Sequence, residues 1–204
     1  MNHGRGHRWL YLITDFSYGE EAIMTALKAG VDFVQLREKN LSSAEYLRRA
    51  RRMRELATLF HTRLIINDRV DIALLCKADG VHLGQADIPV SDARGLMGPE
   101  AVIGATAKTP QQAVLAQEQG ADYLGSGAWF PTSTKKDAIP ITEERYLEIL
   151  RVTDIPNVAV GGINSGNCRR PLECKADGVA VSGGIMGAKD IAEEINKLRT
   201  QLAD

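Results

Sequence analysis

Gln35, Arg37 and Lys39 stand at alternate positions in the run Gln35-Leu36-Arg37-Glu38-Lys39, directly after an apolar stretch. Alternation along an extended segment puts the three on one side. An amide, a guanidinium and an ammonium converging there make an anion clamp: the guanidinium can hold a phosphate through two parallel bonds, and the ammonium adds a point charge. A solvated basic loop is the other reading of the same residues. Two further apolar runs end close to a carboxylate, in Asn67-Asp68-Arg69 and Gly84-Gln85-Ala86-Asp87. One or two carboxylates, completed by the oxygens of a bound phosphate, are the usual protein share of a Mg²⁺ site. Each could instead cap a helix, Asp68 at Val70 and Asp87 near Pro89. Asp71 is assigned to the surface of the first of these helices.

Four later segments carry hydroxyls, cations or paired glycines. In Gly104-Ala105-Thr106-Ala107-Lys108, Thr106 could donate to a phosphate or simply sit in a turn. The stretch 125–137 sets a Trp129-Phe130-Pro131 anchor ahead of Thr132, Ser133, Thr134, Lys135 and Lys136, a combination unusual for a plain surface loop. Gly161-Gly162-Ile163-Asn164 and Ser182-Gly183-Gly184 let an anion approach backbone N–H groups. A basic, metal-ready group and a neutral glycine group therefore point to two phosphorylated substrates, or to one substrate with separated phosphates.

Each of these segments follows a short apolar run, which identifies the elements that must position them. The runs 9–13, 32–36, 64–66, 80–83, 102–103, 123–124, 158–160 and 178–181 are expected strands, rich in Val, Ile and Leu like strands covered on both faces. Helical patterns separate them at 20–29, 42–60, 70–75, 91–96, 110–119, 142–150, 164–173 and 189–202. Ser42 with Glu45 makes a capping box, and Pro110 opens the fifth helix. Strict alternation implies right-handed βαβ units, and eight of them predict an α/β fold: one closed (β/α)₈ TIM barrel over residues 1–204. An open doubly wound sheet lacks the expected GxGxxG after its first strand. A weak repeat supports the barrel. Ala29-Gly30-Val31-Asp32, Lys77-Ala78-Asp79-Gly80, Gly120-Ala121-Asp122-Tyr123 and Lys175-Ala176-Asp177-Gly178 each end a helix and enter a strand. These turns belong at the bottom of the barrel, where the aspartates serve stability.

Composition narrows the partners. The chain has 204 residues, 44 % of them hydrophobic and 25 % charged, and a net charge of −1. Nothing there calls for nucleic acid or a membrane surface, and small-molecule substrates are expected. A homo-oligomer is compatible with these features. Three cysteines without a CxxC pair, and no signal-peptide pattern in residues 1–9, fit a cytoplasmic protein.

The motifs YLITD at 11–15, QLREK at 35–39, NDRVDIA at 67–73, GVHLGQ-x-D at 80–87 and GADYLGSGAWFPTSTKKDA at 120–138 resemble those of the thiamine-phosphate synthase family. VAVGGI at 158–163 and DGVAVSGGI at 177–185 extend the resemblance, and PTSTKKDA is its most specific part. The resemblance implies a (β/α)₈ barrel transferase that joins hydroxymethylpyrimidine pyrophosphate to a thiazole phosphate and releases pyrophosphate. Gln35, Arg37, Lys39, Asn67, Thr106 and Lys135 would then hold the pyrimidine pyrophosphate. Arg37, Lys39 and Lys135 would stabilise the leaving group, and Asp68 and Asp87 would bind Mg²⁺. Thr132, Thr134, Gly162, Val181 and Ser182 would hold the thiazole phosphate, and Ser133 is expected among the substrate-binding residues. The family's G-x-S-x-H is here Gly104-Ala105-Thr106-Ala107-Lys108, so a hydroxyl is kept and a histidine is replaced by Lys108. A related thiazole tautomerase lacks the TxTKK loop that this chain has. A non-catalytic phosphate-binding barrel would leave the acidic pair and Lys135 without purpose, and a sugar-phosphate isomerase would leave Gln35, Arg37 and Lys39 unexplained.

Overall fold

The structure, a computed structural model, describes residues 7–131 and 140–203. Eight strands close into a parallel barrel in chain order: β1 Trp9–Thr14, β2 Phe33–Leu36, β3 Arg63–Asn67, β4 Gly80–Leu83, β5 Val102–Thr106, β6 Tyr123–Gly127, β7 Asn157–Val160 and β8 Gly178–Val181. The helices are α1 Glu20–Lys28, α2 Ser43–Leu59, α3 Val70–Cys76, α4 Val90–Met97, α5 Pro110–Glu118, α6 Glu143–Arg151, α7 Arg169–Glu173, α8 Gly183–Met186 and α9 Ile191–Leu202. Ser42 caps α2 through the Glu45 N–H, as its spacing predicts, and Thr109, Thr142 and Asp190 cap α5, α6 and α9 the same way. Among the described residues no helix is long and apolar enough to cross a membrane.

The barrel has two cores because its strands bury both faces. Outside the sheet, Leu10, Val34, Ile66, Val81 and Leu124 pack under the helices. Inside, Trp9, Tyr11, Phe33, Ile65, Val102, Tyr123 and Val158 fill the lower barrel. Rings this large fit because facing strands carry glycine. A Cβ on Gly104 would lie 2.1 Å from Cζ of Tyr123, and one on Gly178 would lie 2.8 Å from Cβ of Trp9. This is why β5 and β6 each run three residues beyond the apolar runs 102–103 and 123–124. Their glycines continue the strands instead of ending them.

The aspartate repeat closes the bottom of the barrel. Asp32, Asp79, Asp122 and Asp177 enter β2, β4, β6 and β8, and each accepts the first free N–H of the strand before. The donors are Leu10 at 2.7 Å, Leu64 at 2.6 Å, Ile103 at 2.7 Å and Asn157 at 2.8 Å. Arginines from the outer helices complete three of them: Arg199 on Asp32, Arg54 on Asp79 and Arg94 on Asp122.

One expected helix is corrected and one helix is new. The helix expected over 164–173 shrinks to Arg169–Glu173. Pro171 would clash with the carbonyl four residues back in a longer helix, so it is tolerated only in the first turn. Asn164 instead makes a turn, its Oδ1 accepting from the Gly166 N–H at 2.8 Å. The short helix Gly183–Met186 was not expected from the sequence at all.

Candidate active site

The strand ends that carry the polar runs open into one cavity of about 740 Å³ at the top of the barrel. That size lies within the range typical of small-molecule sites. Gln35, Arg37 and Lys39 all line it, as their alternation predicts. Glu38, between them, turns outward. It accepts from the Phe16 N–H at 3.0 Å and from Arg49 at 3.0 Å, which anchors the run and leaves its neighbours facing the mouth. The Tyr46 hydroxyl, delivered by α2, reaches the carbonyls of Leu36 at 2.9 Å and Asn67 at 3.2 Å. One buried phenol thus fastens the ends of β2 and β3 just before Arg37 and Asp68.

Asp68 and Asp87 meet at the rim. Neither caps a helix: the residue capping α3 is Arg69 and that capping α4 is Pro89. Asp68 adopts a left-handed backbone with φ of 64°, and Asp87 Oδ2 accepts from the Gly84 N–H at 2.6 Å. Both carboxyl groups line the cavity, and Asp87 is close enough to act on Asp68. Partial desolvation first, and then the neighbouring Asp87, push the Asp68 carboxyl up to about 6, against the lowering pull of Arg37 and Asn67. Two carboxylates that repel each other, with a guanidinium beside them, form a donor set that a divalent cation would satisfy. Among the described residues no third acidic, His or Cys group joins them. Mg²⁺ in general takes few protein carboxylates and completes its shell with phosphate oxygens and water.

The opposite wall is glycine. Gly161, Gly162, Ser182, Gly183 and Gly184 line the cavity. Gly162 has φ of +66°, and a Cβ on it would stand 2.5 Å from the Pro131 carbonyl oxygen and 2.7 Å from Cβ of Phe130. Its glycine is therefore required by the fold of the wall as well as by anything bound there. Gly183 is different, with no heavy atom within 4 Å of the place its Cβ would take. Val181 alternates with Ala180 and Ser182, which line the cavity. Its side chain is buried in the outer core and is not among the residues lining the cavity. Thr132, Ser133, Thr134 and Lys135 lie outside the described residues.

Asn67 and Thr106 complete the expected set along the cavity floor. The sequence reading gave no site role to His82, Tyr11, Gln85 and Lys108, which also line it. Strand alternation was the signal for His82 and Tyr11: they precede Gly84 and Ile13 by two and so share their inward face. Gln85 ties two strand ends together, its Nε2 donating to the Thr106 carbonyl at 2.6 Å. Burial holds the His82 imidazole down at about 4, outweighing the opposing influence of Asp87, so the ring is neutral near pH 7. Chemically, the cavity offers cations and paired carboxylates on one wall, open backbone on the other, and a buried polar floor between them.

Comparison with known proteins gives consistent results. The family model described as Thiamine monophosphate synthase matches residues 10–185. The chain is 44 % identical over 194 residues to the thiamine-phosphate synthase of Clostridioides difficile (strain 630), covering 92 % of each chain. It is 42 % identical over 185 residues to the thiamine-phosphate synthase of Methanobrevibacter smithii, covering 89 % of this chain and 88 % of that one. Its fold superposes on a thiamine phosphate pyrophosphorylase from Pyrococcus furiosus with a TM-score of 0.87 and 37 % identity, covering 97 % and 96 % of the two chains.

Proposed function

The chain belongs to the thiamine monophosphate synthase family, and from that premise we propose how its cavity carries out the reaction. The activity is the transfer that forms thiamine phosphate. In our reading, the bond between the pyrimidine methylene carbon and the pyrophosphate oxygen breaks. The thiazole nitrogen forms the new C–N bond, and the bond pair leaves with pyrophosphate. That nitrogen already carries its lone pair, so no general base is required.

The wall of Gln35, Arg37, Lys39 and Asn67 holds the pyrimidine pyrophosphate, with Thr106 on the floor. Arg37 and Lys39 lie where negative charge develops on the leaving group, the arrangement that contributes most in such sites. Lys135 is assigned to the same task by its motif. Asp68 and Asp87 would hold Mg²⁺, which when bound neutralises charge on the pyrophosphate oxygens. Gly162, Ser182 and Gly183 give the thiazole phosphate an approach to backbone N–H groups, with Thr132 and Thr134 assigned there by motif. Val181 is assigned there by motif. All three cysteines are free thiols, in keeping with a cytoplasmic setting.

The observation that carries this reading is the meeting of two unlike anion walls in one cavity. The purified protein should form thiamine phosphate from the two heterocyclic substrates with Mg²⁺, and should lose that activity when the metal is chelated. A folded protein that forms none with either Mg²⁺ or another divalent metal present would refute it.

A further inference from the structure

Beneath the cavity, five polar side chains from five strands form one continuous chain of hydrogen bonds. Gln35 Nε2 on β2 donates to the Tyr11 hydroxyl on β1 at 3.0 Å. The Tyr11 hydroxyl meets that of Tyr123 on β6 at 2.9 Å, across the barrel interior. The Tyr123 hydroxyl meets His82 Nδ1 on β4 at 3.0 Å, and His82 Nε2 meets Thr106 Oγ1 on β5 at 3.0 Å. Packing fixes the links. The Tyr11 ring stacks on Phe33 at 5.4 Å, Tyr123 occupies the space left by Gly104, and His82 lies over Gly125. The two ends of the chain, Gln35 and Thr106, both line the cavity.

A phenol hydroxyl has one proton to give, and a neutral imidazole has one donor and one acceptor nitrogen. A phenol oxygen can also accept twice, so once Gln35 gives an N–H to Tyr11 the remaining directions are those that leave no buried phenol proton without an acceptor along the chain. Tyr11 donates to Tyr123, Tyr123 donates to Nδ1 of His82, and Nε2–H of His82 donates to Thr106. The Thr106 proton is then left for the cavity. At the other end the Gln35 carbonyl oxygen has no partner among the described residues, so it faces the cavity as an acceptor. Reversing one link reverses all of them, and the polarity of both ends changes together. The neutral state of His82 is what allows the chain to be ordered.

We propose that Tyr11, Tyr123 and His82 are positioning residues whose hydrogen-bond relay couples Gln35 to Thr106. The relay presents the substrate ring with an acceptor at Gln35 and a donor at Thr106. This inference rests on the pyrimidine site proposed above. An aminopyrimidine is the complementary ligand, since its exocyclic amino group is a donor and its ring nitrogens are acceptors. An analogue with an oxo group in place of the amino group inverts that edge.

The test is a double-mutant cycle with Tyr11→Phe and Tyr123→Phe, each of which removes one hydroxyl and keeps its ring. A relay broken twice is no more broken than a relay broken once, so the losses should not add. Each single variant and the double variant should raise KM for the pyrimidine pyrophosphate by the same factor, about tenfold. KM for the thiazole phosphate should stay unchanged. The unmodified protein should prefer the amino compound to its oxo analogue at least about tenfold, and the variants should lose most of that preference. Additive losses, equal losses for both substrates, or unchanged kinetics would overturn the relay, as would an unmodified protein that does not discriminate the analogue. A wild-type protein that neither binds nor turns over the pyrimidine pyrophosphate would instead refute the functional reading beneath it.

Discussion

Gly183→Ala separates a ligand effect from a folding effect. A methyl group at Gly183 meets no heavy atom within 4 Å, and the backbone there is not in the left-handed region. The unliganded protein should therefore tolerate it. Restricting the unfolded chain favours alanine by about 0.4–1 kcal/mol where the native backbone is compatible, so Tm should hold or rise slightly. The bound state should suffer, because the methyl group stands where a phosphate would approach the wall. Losing one backbone hydrogen bond to a charged group costs about 1.5–3 kcal/mol, or roughly 10- to 150-fold in affinity. The expected result is a KM for the thiazole phosphate raised by that factor, with the pyrimidine KM and Tm near wild type. Steady-state kinetics with each substrate varied in turn, together with a thermal melt, measure all three. Gly162→Val cannot serve, since its left-handed backbone and its contact with Phe130 and Pro131 damage the wall whatever is bound. An unchanged thiazole KM would remove the phosphate from Gly183. An equal rise for both substrates would show that the loop had rearranged.

The remaining predictions are quickly stated. Asp68→Asn and Asp87→Asn should each lower kcat/KM about a hundredfold at limiting Mg²⁺, and normal turnover by either would refute its metal role. Because the folded Asp68 carboxyl is raised to about 6, its charge opposes folding more as pH rises from about 4. The unliganded Asp68→Asn protein should therefore gain Tm relative to wild type across that interval, and a gain confined to lower pH would contradict the carboxylate pairing. Asp122→Ala leaves the Ile103 N–H without its acceptor and removes the carboxylate partner of Arg94, which keeps the Gly120 carbonyl. It should cost about 1–3 kcal/mol of stability by denaturant melt and leave kinetics at 25 °C unchanged. Lys135→Ala should lower kcat about a hundredfold and Lys136→Ala much less, and equal effects would reduce the pair to a generic basic segment.

The sequence made the top rim legible because each functional residue sits at a fixed offset from an apolar run, and parallel strands bring those offsets to one end. Gln35, Arg37 and Lys39 could be placed by alternation alone. The floor was less legible. Tyr11, His82 and Tyr123 are embedded in the strands, where a polar atom inside an apolar run reads as ordinary core filling. Their links connect residues as far apart as Tyr11 and Tyr123, 112 positions along the chain. No local pattern predicts which inward rings will touch; that depends on where Gly104 and Gly125 leave room.

Aspartates at the two ends of the barrel show how position decides what one residue type can do. At the bottom, Asp32 lies deeper than a surface carboxylate, and burial alone would raise its pKa. Arg199, the Leu10 N–H and His7 outweigh that, and the group sits below its ordinary value. Its charge is fully engaged, with nothing left for a ligand, and the stability it contributes is present above the usual carboxylate range and lost only as pH falls through its depressed pKa. At the top, Asp68 is more exposed, yet partial desolvation and then the neighbouring Asp87 outweigh Arg37 and Asn67, and its pKa is raised. A rim that keeps two carboxylates in mutual repulsion trades local stability for readiness to bind positive charge. The bottom ring, in which every carboxylate takes a strand N–H, supplies rigidity that such a rim needs. The fold and the site are in that sense two uses of the same side chain, distinguished by which end of a strand it occupies.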